Sequence, residues 1–297
     1  MIYNIKKFLN IGKLVGNTPL INYKDNIYCK FECYNPTGSI KDRVVYHIFN
    51  KAIQNNSLSN IKNIIEASSG NTGISTAFFS SLLNIPCKII MPSDMSEERK
   101  KYIKLFGAEL IEVEPGNFSG AIELRNKLCN NKCNFNVNQF HNKLNIECHY
   151  ETTGKEIVEQ FKKLNKKPDI LITGTGTGGT LMGVSKRLKE INPNLIVVVV
   201  EPDESPVMSG GKPGLHKIQG IGDGSKFLAD MNIIDDIVRI KSNNAIEKMK
   251  ELHKEGYFVG ISSAANILTS EKISNKYPKH NIITFMCDRG DRYLSMI

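Results

Sequence analysis

The stretch Asn35-Pro36-Thr37-Gly38-Ser39-Ile40-Lys41-Asp42-Arg43 places one lysine after a short polar turn and directly before an apolar helical pattern, Val44, Val45, Ile48 and Phe49. Lys41 is therefore expected at a loop-to-helix junction, close to backbone donors. An amine held there and partly desolvated has a lowered pKa and acts as a nucleophile toward an aldehyde. A solvated surface lysine is the plain alternative, and the stretch does not decide between them by itself.

Two further segments bear on the choice. Thr173-Gly174-Thr175-Gly176-Thr177-Gly178-Gly179-Thr180 follows an apolar strand pattern and opens a helical one. Glycines let a backbone approach a phosphate, successive N–H groups and the helix N-terminus hold the dianion, and threonine hydroxyls add donors. No Gly-Lys-Ser/Thr follows, so this is not a Walker A loop, and the dinucleotide spacing with its downstream acid is missing. Ser68-Ser69-Gly70-Asn71-Thr72-Gly73 is a second strand-to-helix turn, offering hydroxyls, an amide and helix N–H groups. Such a turn suits a carboxylate plus a ring oxygen, although an ordinary helix N-cap uses the same residues. Amine nucleophile, phosphate cradle and carboxylate cradle together imply an aldehyde cofactor with a phosphate tail acting on an amino acid. Pyridoxal 5'-phosphate fits that description.

The elements that must position these residues alternate short β-branched runs with helical patterns, the mark of an α/β fold with parallel sheets. Ile61 to Ala67 reads as a strand, with a helix from Asn71. Cys87 to Met91 and Leu110 to Val113 are further strands, separated by a helix opening at Ser96-Glu97-Glu98-Arg99, which only partly matches a capping box. Phe118 to Leu128 is helical. A helix from Glu151 to Leu164 and the strand Ile170 to Thr173 lead into the glycine turn and a helix from Thr180 to Lys189. Leu195 to Val200 is apolar on both faces, as a central parallel strand should be. Residues 203–226, rich in Gly, Pro and Ser, are expected to form a long functional loop. A helix from Asn243 to Lys254, a strand around Tyr257 to Gly260, a helix from Ser263 and the strand Ile282 to Met286 complete the pattern. The smaller N-terminal lobe is expected over residues 40–145, and the larger lobe over 1–39 plus 146–297.

Composition sets the remaining bounds. The 297 residues are 40% hydrophobic and 23% charged, ordinary for a globular chain with a real core. No apolar run approaches the ~20 residues of a membrane span. The first ten residues carry two lysines but no apolar signal region, so a cytoplasmic location is expected. Seven scattered cysteines without Cys-x-x-Cys argue against a disulfide framework or structural zinc, and no metal is expected. The net charge of +9 is spread along the chain and would modestly favour anionic substrates. The nearest approach to a basic run, Lys162 to Lys167, has no interleaved aromatics, so no nucleic acid is expected. Histidines 47, 141, 149, 216 and 253 show no catalytic spacing and read as surface or packing residues, with His216 left open by its place in the long loop.

With these motifs on the page, the chain resembles the cysteine synthase (O-acetylserine sulfhydrylase) and cystathionine β-synthase family, fold type II enzymes dependent on pyridoxal phosphate. The resemblance runs from Gly16-Asn17-Thr18-Pro19-Leu20 to Asp291-Arg292-Tyr293-Leu294-Ser295, and Ser209 to Gly222 is close to the sulfhydrylase version. No regulatory module after Ile297 and no haem-binding extension before Met1 are expected. The resemblance implies an α/β fold of two open, mostly parallel twisted sheets flanked by helices, in two lobes with the cofactor in the cleft between them. It implies that Lys41 forms the Schiff base and later moves the Cα proton, and that Asn71 hydrogen-bonds the ring hydroxyl. Gly176, Thr177, Gly178, Gly179 and Thr180 would hold the phosphate, and Ser262 would face the pyridine nitrogen. A neutral hydroxyl there leaves the ring a weaker electron sink, favouring β-elimination over transamination. Ser68, Ser69, Thr72 and Gln139 would bind the substrate carboxylate. The implied reaction is β-replacement on an L-serine derivative or L-cysteine through an α-aminoacrylate, foremost O-acetylserine plus sulfide giving L-cysteine and acetate. A homodimer and a complex with serine acetyltransferase are implied as partners.

The chain also departs from the common sulfhydrylase pattern. Ser68 stands where threonine is usual, Ala264 replaces a glycine, and Cys287-Asp288-Arg289-Gly290 replaces a Pro/Ser-rich segment. Asp223, in Gly220-Ile221-Gly222-Asp223-Gly224, replaces an alanine. A carboxylate there can take a proton from water or a thiol. That would bias the enzyme toward L-cysteine, releasing hydrogen sulfide while water adds to give L-serine or another thiol adds. Asp between glycines also simply suits a turn. A binding partner that holds the cofactor without turnover is the reading from another class, against which Lys41, the phosphate turn and Asn71 speak.

Overall fold

The computed structural model describes residues 4–68 and 70–296. In chain order its strands are β1 Leu20–Lys24, β2 Ile27–Phe31, β3 Asn63–Ala67, β4 Cys87–Pro92, β5 Glu109–Val113, β6 Asn134–Asn136, β7 Ile170–Gly174, β8 Ile196–Pro202, β9 Asp236–Ile240 and β10 Ile282–Met286. The α-helices are α1 Ile5–Gly12, α2 Lys41–Gln54, α3 Asn71–Leu83, α4 Glu97–Leu105, α5 Phe118–Cys129, α6 Leu144–Cys148, α7 Lys155–Lys163, α8 Gly179–Lys189, α9 Ser242–Lys254 and α10 Ile261–Lys276. A π-helical turn, His149–Gly154, joins α6 to α7.

The chain divides into two compact units. The first holds the chain up to Val15, Asn35–Asn142 and the chain from Arg292; the second holds Gly16–Tyr34 and Lys143–Asp291. The expected partition placed residues 1–39 and 146–297 wholly in the larger lobe. The segment before Gly16 and that after Asp291 instead belong with the smaller unit. The amphipathic α1 buries Phe8 among Tyr46, Phe49 and Phe79. At the other end, Arg292 and Tyr293 are fully buried, held by Thr37 and Arg99 respectively.

In the first unit the sheet is all parallel, in the order β5-β4-β3-β6. Its inner strands supply the core residues Ile64, Ile65, Ile89 and Ile90, buried from both faces as parallel strands must be. Helix α3 packs on β3 and β4 as well as on α1, α2 and α4, so nearly its whole circumference is buried. Its small residues, Gly73, Ser75, Ala77 and Ser80, suit that crowding.

In the second unit six strands run in the order β1-β2-β10-β7-β8-β9, parallel except for the β1/β2 hairpin. Val197, Val198, Val199 and Val200 of β8 are all buried, as their unbroken apolar run predicts. Three expectations are corrected here. Tyr257 to Gly260 is not a strand; only an isolated bridge joins Val259 to Arg289. The helix expected from Glu151 is regular only from Lys155, because the π turn precedes it. Ser96 makes no side-chain cap on α4; its hydroxyl donates instead to the Arg292 carbonyl, 3.2 Å. Residues 203–230 form turns without helix or strand, the long loop that the Gly, Pro and Ser content predicts.

Candidate active site

In the first unit the lysine motif is a tightly tied turn. The Gly38 N–H donates to the Asn35 carbonyl at 2.8 Å, and Gly38 adopts φ +85°, a conformation that favours glycine. Lys41 is the first residue of α2, and its N–H donates to Ser39 Oγ at 3.3 Å. Its neighbour Asp42 is fully buried and accepts from Thr37 N (2.6 Å), Thr37 Oγ1 (2.5 Å) and Ser75 Oγ (2.5 Å). Burial raises the Asp42 pKa, against those three donors and the nearby Arg292 guanidinium. Arg292 in turn donates to the Thr37 carbonyl. The turn before Lys41 is thus fastened to α3 and to the chain's last segment, and the half-buried Lys41 stem leaves from a fixed backbone.

The second motif of this unit follows the C-terminal end of β3, the edge at which parallel sheets present their ligand loops. Ser68 Oγ accepts from Gly70 N (3.1 Å) and Gly73 N (3.0 Å), so both lone pairs are taken and the hydroxyl hydrogen is left to donate. Asn71 begins α3. Thr72 Oγ1 donates to Gln139 Oε1 at 2.6 Å, and Gln139 Nε2 donates to the Ala67 carbonyl at 3.3 Å. The structure therefore brings Ser68, Asn71, Thr72 and Gln139 together, with Thr72 and Gln139 bonded to each other. Ser69 lies outside the described residues. Beneath this loop the buried pair Glu66–Arg125, 3.2 Å, anchors the segment, since Glu66 also accepts from the N–H groups of Ala67 and Gln139. Burial raises the Glu66 pKa, and Arg125 opposes the rise.

In the second unit the glycine turn follows the C-terminal end of β7 and opens α8 at Gly179, one residue earlier than expected. Its glycines have a reason that the sequence alone did not supply. A Cβ at Gly176 would stand 2.7 Å from Asp223 Oδ2 and 2.9 Å from the Gly220 carbonyl oxygen. At Gly179 it would meet Asn145 Oδ1 at 2.0 Å. Gly178 adopts φ +85°, and a Cβ there would stand 2.6 Å from Ala229 N. Backbone at Gly220 and at Leu228–Ala229, together with the side chains of Asp223 and Asn145, presses on the turn and fixes its shape. Hydrogen bonds add to this. Gly222 N donates to the Thr175 carbonyl (3.0 Å) and Leu228 N to that of Thr177 (3.1 Å). Gly174 N donates to Asn266 Oδ1 of α10, 2.8 Å.

The same packing gathers Ser262 and Asp223. Ser262 lies in the first turn of α10, with its Oγ 3.9 Å from the Cβ position of Gly220. Asp223 is half-buried beside Gly176. His216 Nε2–H donates to the Gly222 carbonyl at 3.0 Å, so this histidine holds the Gly220–Gly224 turn. The turn's donor set fits a phosphate. Thr175 Oγ1 is buried with no hydrogen-bond partner among the described residues, and the hydroxyls of Thr177 and Thr180 stand at the N-terminus of an 11-residue helix.

Sequence reasoning missed the supports of these loops: Asp42, Glu66, Arg125, Asn145, His149 and Asn266. The histidines read as surface or packing residues, with His216 left open; His149 is wholly buried on the π turn, as a packing residue is, and in addition its Nε2 stands 3.1 Å from Thr180 Oγ1. The one signal available was the presence of buried-type polar residues inside otherwise apolar segments. Among the described residues no group of three or more His, Cys, Asp or Glu could hold a metal, and no helix is long and apolar enough to cross a membrane.

Comparison with known proteins agrees with this chemistry. A cysteine synthase B from Campylobacter jejuni is 40% identical over 294 residues, covering 96% of each chain. A hydrogen sulfide-producing enzyme from Fusobacterium nucleatum superposes with a TM-score of 0.91 at 39% identity, covering 98% of this chain and 91% of its own. A cysteine synthase from Entamoeba histolytica superposes with a TM-score of 0.88 at 36% identity, covering 96% and 89%. The family of pyridoxal-phosphate dependent enzymes matches residues 11–288, and with this match, these relatives, a lysine-headed helix and a donor-rich glycine turn, the chain belongs to that family and works with pyridoxal phosphate.

Proposed function

We propose that this enzyme performs β-replacement on an L-serine derivative, foremost joining O-acetylserine and sulfide to give L-cysteine and acetate. The end-to-end likeness to cysteine synthases carries this reading. When bound, pyridoxal phosphate supplies the electron sink for reaction at Cα and Cβ. Lys41 would supply the amine that holds the cofactor's aldehyde and would move the substrate's Cα proton. Gly176, Thr177, Gly178, Gly179 and Thr180 hold the phosphate, Asn71 the ring hydroxyl, and Ser262 meets the ring nitrogen with a neutral hydroxyl. Ser68, Ser69, Thr72 and Gln139 receive the substrate carboxylate. Of these, Ser68 has its hydrogen already directed away from its two N–H donors. Thr72 must give up its bond to Gln139 Oε1 to donate to the substrate, whereas Gln139 donates through its Nε2 amide, not through Oε1, which only accepts. A homodimer in the cytoplasm, able to associate with serine acetyltransferase, completes the reading.

A second reading rests on the position of Asp223. Its carboxylate lies against Gly176 on the turn that also carries Gly220 toward Ser262. A base at that place activates water, so that L-cysteine and water give L-serine and hydrogen sulfide, or admits another thiol in place of water. Product analysis of the purified enzyme separates the two, with O-acetylserine plus sulfide in one assay and L-cysteine alone in the other. If Asp223→Ala leaves sulfide release from cysteine unchanged, the second reading is wrong. The primary reading requires a yellow protein in which borohydride fixes a pyridoxyl group to Lys41. A colourless protein with no adduct at that residue, or Lys41→Ala with undiminished cysteine synthesis, overturns it.

A further inference from the structure

Behind the glycine turn lie α6 and the π turn that follows it. Helix α6 passes into the π turn, and α8 packs on it at backbone distance. A Cβ at Gly183 would stand 2.4 Å from the Ile146 carbonyl oxygen and 2.8 Å from Tyr150 N. Single π turns inside helices are concentrated at functional sites, because the extra residue re-aims side chains. Here two buried side chains reach the turn. Asn145 Nδ2 donates to Thr177 Oγ1 at 3.0 Å, and Gly179 N donates to the same oxygen at 3.3 Å. A hydroxyl has two lone pairs and one hydrogen. With both lone pairs filled, the Thr177 hydrogen is left to donate. His149 stands between two threonines, Nδ1 at 2.9 Å from Thr153 Oγ1 and Nε2 at 3.1 Å from Thr180 Oγ1. If Thr153 donates to Nδ1, a neutral ring carries its hydrogen on Nε2 and gives it to Thr180. The Thr180 hydrogen is then also left to donate. The opposite tautomer would consume it.

We propose that His149 and Asn145 are positioning residues that set the hydroxyls of Thr180 and Thr177 as paired donors to the cofactor's phosphate. This rests on residues 176–180 being the phosphate turn. Neither side chain touches the phosphate; each acts through a threonine. The arrangement gives an anion two oriented hydroxyl donors at a helix N-terminus, already turned before it arrives.

The test compares the affinities of the cofactor-free protein for pyridoxal phosphate and for pyridoxal, which lacks the phosphate. His149→Ala is expected to weaken pyridoxal phosphate about tenfold, about 1.4 kcal/mol, and to leave pyridoxal unchanged. His149→Gln, whose amide N–H can still donate to Thr180, should recover most of the loss. Asn145→Ala should behave as His149→Ala does. In a double-mutant cycle, His149→Ala made on Thr180→Val should add nothing further. The phosphorus resonance of the bound cofactor should move in His149→Ala and return in His149→Gln. Should His149→Ala fail to fold, Thr153→Val carries the same comparison and should weaken pyridoxal phosphate alone. The proposal is overturned if the variants bind pyridoxal phosphate as tightly as the native protein, or lose both ligands equally. If the native protein itself binds pyridoxal and pyridoxal phosphate alike, the phosphate-turn reading fails and the proposal with it.

Discussion

Gly178→Ala is the sharpest single test of how the glycine turn is built. At φ +85° an alanine occupies a left-handed conformation, which costs about 1–2 kcal/mol. Its Cβ would also stand 2.6 Å from Ala229 N and 3.1 Å from both Ala229 Cα and the Leu228 carbonyl carbon. These are backbone atoms, so relief requires the 227–229 segment to retreat. That retreat breaks the 3.1 Å bond from Leu228 N to the Thr177 carbonyl, worth about 0.5–1.5 kcal/mol. The sum is about 1.5–3.5 kcal/mol, and at about 2–4 °C per kcal/mol for a unit of this size the melting temperature falls by about 3–14 °C. Gly210→Ala is the matched control, since φ is +86° there and nothing lies within 4 Å of the new Cβ. Only the conformational cost of about 1–2 kcal/mol should appear in it. Circular dichroism melts of both variants, cofactor-free, give the difference that belongs to crowding. Binding of pyridoxal phosphate should weaken in Gly178→Ala and not in Gly210→Ala. If the two variants melt together, the claim that neighbouring backbone moulds the turn is wrong.

Two other expectations follow from buried groups. Arg125→Ala strands the Glu66 carboxylate, a loss of about 3–5 kcal/mol by urea unfolding at neutral pH, because the uncompensated charge stays buried. A carboxyl whose folded pKa lies above its unfolded one binds a proton on folding, so stability falls as pH rises through that window. Glu66 is shifted upward by burial from 4.5, and removing Arg125 shifts it further. The deficit of Arg125→Ala should therefore shrink as pH is lowered toward 4.5; a deficit that is constant with pH would contradict the assignment. The second concerns the thiols. Burial pushes Cys33 and Cys87 up to about 12 from 9.0. At pH 8 that leaves about one thiolate in ten thousand rather than about one in ten. Native alkylation followed by mass spectrometry should mark the partly exposed Cys129, Cys133 and Cys287 before the buried Cys29, Cys33, Cys87 and Cys148; early labelling of Cys33 or Cys87 would show that the burial is misplaced.

The parts of this fold that were legible in the sequence are those encoded by adjacent residues. Both strand-turn-helix units, β3 to α3 and β7 to α8, stand out because an unbroken apolar run meets a glycine cluster and then a helical period. The edge strands β1, β9 and β6 were not recognised, since they bury only part of each face and leave no clean run, and the inner, fully buried β2 was missed because Lys30 interrupts its apolar run. Tyr257 to Gly260 misled for the opposite reason: its apolar residues pack from a loop, with Val259 buried and Phe258 about half-exposed. The supports of the site could not be read, because their partners are distant in the chain. Asn145 meets Thr177 across 32 positions, and Asn266 meets Gly174 across 92. Arg292 meets the Thr37 carbonyl across 255. Periodicity carries no information about such pairs; only the folded topology creates them.

The two donor loops follow one rule, although they sit in different units and share no sequence. In each, a hydroxyl at the mouth of a helix has both lone pairs filled by protein donors: Ser68 by the N–H groups of Gly70 and Gly73, Thr177 by Asn145 and Gly179. A hydroxyl so held can only donate outward, and the ordering that an arriving anion would otherwise impose is already complete. That explains why serine can stand at position 68 where threonine is usual in the family it resembles: the oxygen and its hydrogen are what the two N–H groups orient, and the methyl takes no part. It also separates the two kinds of residue in the carboxylate loop. Ser68 is set before substrate arrives, whereas the 2.6 Å bond between Thr72 and Gln139 must open to serve it. A substrate carboxylate must then do work on Thr72 that it need not do on Ser68, so Thr72→Val, which removes that hydroxyl, should weaken substrate binding while leaving cofactor affinity at its native value.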